Sequence, residues 1–187
     1  MEFKAYRILY LLHTCNQIDM SNVLATLTKA EKEDKAIQHA LAVRSVLATR
    51  NYHRFFRLYV DCPNMGAYLM DSFIERERLF ALEIICKAYI SLNPVHYTFG
   101  SIQLTYLVES SYRVYIELRF LTDELGFESD GECAQFLTNH GAGDFLMEKQ
   151  GEDGSVVAIK FNCPPARPIF TAAKEAAFRK VDIKGQI

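Results

Sequence analysis

Asn51-Tyr52-His53-Arg54-Phe55-Phe56-Arg57-Leu58-Tyr59 decides how this chain is read, because aromatic and basic residues interleave in it at helical spacing. At about 100° per residue, Tyr52, Phe55, Phe56 and Tyr59 share one sector of ~100°, while Arg50, Arg54 and Arg57 gather on the opposite side. The spacing predicts a helix that buries an aromatic stripe and turns an arginine stripe outward. Just upstream, Asp34 is placed to cap a helix running to about Thr49. Ile37, Ala40, Leu41, Val43, Val46 and Leu47 leave that helix few polar positions, so it is expected to lie between neighbours. Arg44 falls within this apolar run and reads as a paired structural charge, since an unpaired charge in a core is costly. Arg50-Asn51 leaves room only for a tight turn, so the two helices should form an antiparallel hairpin, closed by Cys62-Pro63-Asn64.

The same texture extends both ways. Phe3, Tyr6, Ile8, Leu9, Leu11 and Leu12 predict a first helix ending near Cys15-Asn16, and Ser21 can cap a second carrying Val23, Leu24 and Leu27. Gly66 to about Ile90 predicts a short helix and a long one, with Phe73, Phe80, Ala81, Ile84, Ile85 and Ala88 inward and Glu75, Arg76, Glu77 and Arg78 outward. Helices that pair in hairpins and cannot bury their faces alone make a helical solenoid. Starting directly in amphipathic helix, the chain reads as a domain cut from something longer.

After Pro94 the texture changes. Tyr97 to Tyr115 mixes β-branched and aromatic residues and fits strand or helix. Ile116–Leu125 and Glu128–Asn139 then read as helices, with Phe136 and Leu137 inward. Phe145–Lys149 and Ser155–Phe161 flank a glycine-bearing loop as a hairpin. Two helices followed by a two-stranded wing predict a winged helix. The expected class is therefore mainly α, a helical-hairpin (PCI/TPR-like) solenoid followed by a winged-helix subdomain. Its divisions are 1–94 for the helical repeats, 95–115 for a connector or insertion, 116–163 for the winged helix, and 164–187 for a proline-containing tail with a terminal helix from Thr171 to about Val181.

Charge is segregated beneath a formal net of −2. Residues 41–60 carry Arg44, Arg50, Arg54 and Arg57 and no acid, residues 117–153 carry a net −8, and residues 154–187 return to +4. So acidic a segment is a poor general phosphate binder, because affinity for nucleic acid comes largely from Lys and Arg displacing counterions. The five cysteines are scattered and form no C-x-x-C, which points to reduced thiols that fill the core of an intracellular protein. No uncharged run reaches the ~18 residues of a membrane span, and no basic start with an apolar run and small-residue cleavage site is seen at its beginning, so a soluble globular class is expected.

Several separated blocks resemble one family. Glu2-Phe3-x-Ala5-Tyr6-x-Ile8-Leu9, Ala40-Leu41-Ala42-x-Arg44, the Asn51–Tyr59 block and Arg78-x-x-Ala81-Leu82 are similar to the GANP-type mRNA-export scaffolds, a PCI-like family. Leu121-Thr122-x-x-Leu125-Gly126-Phe127 and Glu132-x-x-x-Phe136-Leu137 resemble that family's winged-helix entry. The likeness runs over roughly residues 2–161, and is stronger to the leukocyte-receptor-cluster branch than to the long germinal-centre scaffold. One departure is the length between the long helix and Leu121, which makes 97–115 read as an insertion. The resemblance implies a non-enzymatic scaffold subunit of a nuclear mRNA processing or export complex, with a cytoplasmic share left open. Such a subunit pairs through its winged helix with a second PCI-domain protein, itself bound by a small acidic Sem/DSS-type polypeptide, and the pair contacts RNA or DNA.

No catalytic signature accompanies these blocks. H-E-x-x-H, G-x-S-x-G, the P-loop and G-x-G-x-x-G are absent, and Gly141-Ala142-Gly143 lacks the strand and third glycine of a phosphate cradle. His13, His39, His53, His96 and His140 stand at no metal-ligand spacing, so neither metal nor cofactor is expected. The candidate partner or nucleic-acid contacts are Arg50, His53, Arg54 and Arg57 on the aromatic helix and Lys149 and Lys160 on the wing. Two alternatives stay open. One is a PCI subunit of a proteasome-lid-like, signalosome-like or translation-initiation complex. The other is a stand-alone winged-helix DNA reader, disfavoured because Glu128–Asn139 holds no Lys or Arg.

Overall fold

A computed structural model describes residues 1–89, 97–99, 102–104, 115–150 and 156–178. Helix α1 (Glu2–Thr14) buries Ala5, Ile8, Leu9 and Leu11 and ends where Cys15 turns left-handed at φ 55°. Helix α2 (Gln17–Thr26) is capped by Asn16, which accepts from the Asp19 amide at 3.1 Å. The expected cap, Ser21, lies inside α2 and returns its hydroxyl to the Gln17 carbonyl at 2.8 Å. A single turn, α3 (Lys29–Lys32), was not expected. It is held by a capping box between Thr28 and Glu31, whose carboxylate also pairs with Lys4.

Helix α4 (Lys35–Ala48) starts as expected at Asp34, which accepts from the Ala36 and Ile37 amides at 3.0 and 3.3 Å. Helix α5 (Tyr52–Val60) follows after Arg50 adopts φ 57° and Asn51 caps the Arg54 amide at 3.0 Å. Phe55 and Phe56 are buried, with ring centroids 5.2 Å apart, and Phe55 meets Phe73 at 6.1 Å. Arg44 is exposed, not a buried paired charge, although helical spacing puts it between Ile37 and Ala40 of the buried stripe of α4. Helix α6 (Gly66–Ala88) is one continuous helix where two were expected. At its start Gly66 packs so closely that a Cβ would stand 2.7 Å from the Cys62 sulfur.

Strands β1 (Tyr97–Phe99) and β2 (Ile102–Leu104) pair antiparallel within the expected connector, whose remaining residues up to 114 lie outside the described ones. Strand β3 (Tyr115–Glu117) and helix α7 (Leu118–Glu124) occupy the stretch expected to be helical from Ile116. Helix α8 (Asp130–Asn139), capped by Ser129, starts two residues later than expected. The wing is β4 (Leu146–Gln150) and β5 (Val156–Asn162), and β3 pairs with β5 to give the order β3-β5-β4. Strand, two helices and two strands in this order are winged-helix-like. Helix α9 (Cys163–Ala177) begins eight residues before the expected Thr171. Pro164 and Pro165 sit in its first turn, where amides have no partner to lose, so they start a helix and do not prevent one. The tail beyond Phe178 lies outside the described residues.

The fold class is thus mainly α, a helical-hairpin solenoid followed along the chain by a winged-helix-like end. By contacts the chain divides into one unit of Met1–Ala81 with Thr122–Glu128, and another of Leu82–Leu121 with Ser129–Ile187. The first is cored by Ile8, Leu9, Ile37, Phe55, Phe56, Met70 and Phe73, and the second by Leu118, Leu121, Cys133, Leu137, Phe161 and Phe170. Cys86, Cys133 and Cys163 fill core positions, whereas Cys15 is exposed and Cys62 half-buried. A hydrogen bond with Cys163, together with burial, pushes the Cys86 thiol up.

Candidate nucleic-acid and partner interfaces

Helix α5 carries the first cluster. Its buried side is fixed by Phe55 and Phe56, and Tyr59 donates to Asp71 at 2.5 Å, so the opposite side must face outward. Arg54 and Arg57 are exposed there. His53 is also on α5 but is tied through Nδ1 to the Glu124 carboxylate. Arg50 stands apart from this stripe. It precedes the helix in a left-handed conformation and lays its guanidinium over the Phe80 ring, 4.8 Å from the centroid. Below it Glu77 is buried; desolvation pushes its carboxyl above the usual range, against the opposing pull of Arg76, 3.2 Å away, and of Arg50. Of the four residues expected together on α5, the structure leaves two as an open basic face.

The second cluster is the wing. Lys160 lies on the central strand β5, half-buried, opposite Met147 on one side and Glu117 on the other. Lys149 lies on β4 opposite Ala158. Large apolar side chains are exposed in this unit: Tyr115, Phe120 and Met147. The N-terminal turn of α8 is acidic through Asp130 and Glu132.

A third group escaped the sequence reading, which placed Glu77 and Arg78 outward. Arg78 is buried at 8% exposure. Its Nε donates to the Leu125 carbonyl at 3.3 Å and its Nη2 to the Gly126 carbonyl at 2.8 Å, while the guanidinium stacks 3.7 Å above the Phe127 ring. Gly126, at φ 62°, lies 3.5–3.8 Å from Tyr59, Val60 and Phe56 measured from its Cβ position, so α5 closes the other side. The signal was present in the spacing: Arg78 stands four residues after buried Ile74 and three before buried Ala81.

Among the described residues no three His, Cys, Asp or Glu side chains converge as a metal site, and no helix is long and apolar enough to cross a membrane. Residues 1–143 match the SAC3/GANP family. The chain belongs to the SAC3/GANP family. It is 41% identical to the THP3 homolog of Schizosaccharomyces pombe over its whole length, and 40% identical to the leukocyte receptor cluster member 8 homolog of Xenopus laevis over 86% of it. Protein THP3 of Saccharomyces cerevisiae is 25% identical over 99% of the chain. The chain spans only 39%, 17% and 36% of these three relatives. The SAC3/GANP match includes the α5 block, Arg78 and the Leu121–Phe127 block, and stops before the wing.

Proposed function

We infer that this SAC3/GANP-family chain is a non-enzymatic scaffold subunit of a nuclear mRNA processing or export complex. Its winged-helix-like end pairs with a second PCI-domain protein, which carries a small acidic Sem/DSS-type polypeptide, and the assembled pair binds RNA or DNA. The observation that supports a partner surface is apolar exposure at that end, with Phe120 49% and Met147 51% accessible. Aromatic residues and methionine are over-represented in interface cores. The acidic start of α8 and the cross-strand position of Glu117 opposite Lys160 argue that nucleic acid is met jointly with the partner and not by this chain alone.

Co-purification of the tagged chain from nuclear extract, wild type against Met147→Glu, tests this. Wild type is expected to bring down a PCI-domain protein and a small acidic polypeptide, and the variant to lose both with its circular dichroism unchanged. Recovery of proteasome-lid, signalosome or initiation-factor subunits would move the assignment to those complexes. Equal affinity of the isolated and assembled forms for nucleic acid at physiological salt would favour a stand-alone reader.

A further inference from the structure

Arg50 occupies a backbone position that favours glycine. Its amide donates to the Leu47 carbonyl at 3.3 Å and the Asn51 amide to the Val46 carbonyl at 3.0 Å, which ends α4 in the left-handed turn where glycine is the usual residue. At φ 57° a residue with a Cβ is strained where glycine is not. Such strain persists where the side chain is put to use. Here the guanidinium lies over the Phe80 ring, 4.8 Å from its centroid, in a residue that is still exposed. We propose that Arg50 contacts a phosphate of a nucleic-acid backbone and extends the Arg54 and Arg57 face of α5 to three arginines. This rests on the reading that the assembled pair binds RNA or DNA.

Stacking engages the flat face of a guanidinium, whereas its donors point along its plane, so a ring beneath fixes the fork for a ligand met edge-on. Fixing it in advance lowers the entropy lost on binding. Phosphate is the group that the surroundings favour. Residues 41–60 contain no acid, and Arg44, Arg54 and Arg57 of the same hairpin are exposed. Arg54 follows four residues on, and helical side chains lean toward the start of their helix, here toward Arg50. Bases find no seat at this place. Phe55 and Phe56 are buried and Tyr52 and Tyr59 half-buried, so α5 offers no stacking platform. The cavity bounded by Arg50, Tyr52, Glu77 and Phe80 is about 10 Å³, room for one water and no base. Contacts made to phosphate alone bring affinity without sequence preference.

Binding of labelled oligouridine and oligoadenosine to the assembled complex over a range of salt, with wild type, Arg50→Gly and Arg50→Lys, tests the contact. Glycine suits φ 57°, so the first variant removes the side chain and spares the turn. It should weaken binding of both RNAs about fivefold at ~0.1 M salt and lower the salt slope by about 1, as loss of one phosphate contact does. Lysine keeps the charge and loses the fork, so the slope should hold while affinity falls about twofold. Affinity and slope unchanged in Arg50→Gly, whatever its denaturation midpoint, would overturn the contact and leave Arg50 as a partner of Phe80 and Glu77 alone. A loss confined to one homopolymer would overturn it too, since a base would then be read. Wild type that binds neither RNA would overturn the proposed joint binding together with the contact.

Discussion

The outer face of α5 and the inner face of α6 use arginine in opposite ways. Arg54 and Arg57 stand exposed on a helix anchored by Phe55 and Phe56, while Arg78 is buried among apolar neighbours and ends on two carbonyls and a ring. What separates them is position against the buried stripe, not the company of aromatic residues, which both have. An arginine opposite the stripe is free to meet a partner or a phosphate. One within the stripe must find its whole hydrogen-bonding complement inside the protein, and so becomes structural.

Truncation should expose that contrast most strongly. Phe55→Ala is expected to cost about 3–5 kcal/mol, as large aromatic deletions from a packed core do. Arg78→Ala should follow at about 2–5 kcal/mol, because it strands two buried acceptors and an uncovered ring. Arg54→Ala and Arg57→Ala should each stay within about 0.5 kcal/mol. Urea denaturation midpoints at constant slope measure all four, and a loss at Arg57 equal to that at Arg78 would erase the distinction.

Function should reverse the order. Arg54→Glu combined with Arg57→Glu should leave the thermal midpoint nearly unchanged, yet lower the affinity of the assembled complex for RNA about tenfold at ~0.1 M salt, with the salt slope reduced by about 2. Unaltered RNA binding and unaltered assembly would make the α5 face an ordinary solvated surface.

Two asparagines sharpen the comparison at smaller scale, one in each unit. Asn51 caps α5 by accepting from the Arg54 amide, and Asn51→Ala should cost about 1 kcal/mol. Asn162 occupies the same position at α9, but the second and third residues of that helix are Pro164 and Pro165, which have no N–H to offer. Its side-chain oxygen is buried without a partner. Asn162→Ala should therefore be neutral or stabilise by up to about 1 kcal/mol, read from the same denaturation curves. An equal loss at both sites would show that Asn162 caps after all.

Elements specified locally were legible in the sequence. Asp34 marked the start of α4, and the α5 block gave both its buried and its exposed side, because each depends on residues within a few positions of one another. Strand β3 was missed because three residues carry no periodicity, and their identity comes from pairing with β5 some 45 residues away, Ile116 opposite Phe161. Helix α9 was placed late because proline was read as a breaker where it stands in a first turn. The candidate site divided along the same line. Exposure of Arg54 and Arg57 follows from helical geometry, whereas the capture of Arg50 by Phe80 and of His53 by Glu124 depends on residues 30 and 71 positions distant.

Two carboxylates give the smallest effect, and their opposite signs test whether the inner face of α6 is truly dry. Hydrogen bonds from Lys4 and from the Thr28 backbone lower the pKa of Glu31 below its ordinary 4.5, so the unfolded chain binds its proton more readily. The stabilisation is full above the unfolded value and disappears as pH falls through the folded one. Glu77 behaves in reverse. Burial raises its carboxyl above 4.5, the folded chain holds the proton longer, and stability declines as pH rises from about 4.5 through the raised value. Denaturation midpoints of wild type, Glu31→Gln and Glu77→Gln between pH 3 and 7 check both. The gap between wild type and Glu31→Gln should close toward pH 3, and Glu77→Gln should gain on wild type above pH 4.5. If Glu77→Gln tracks wild type at every pH, that carboxylate is solvated, and the inner face of α6 is wetter than the burial of Arg78 requires.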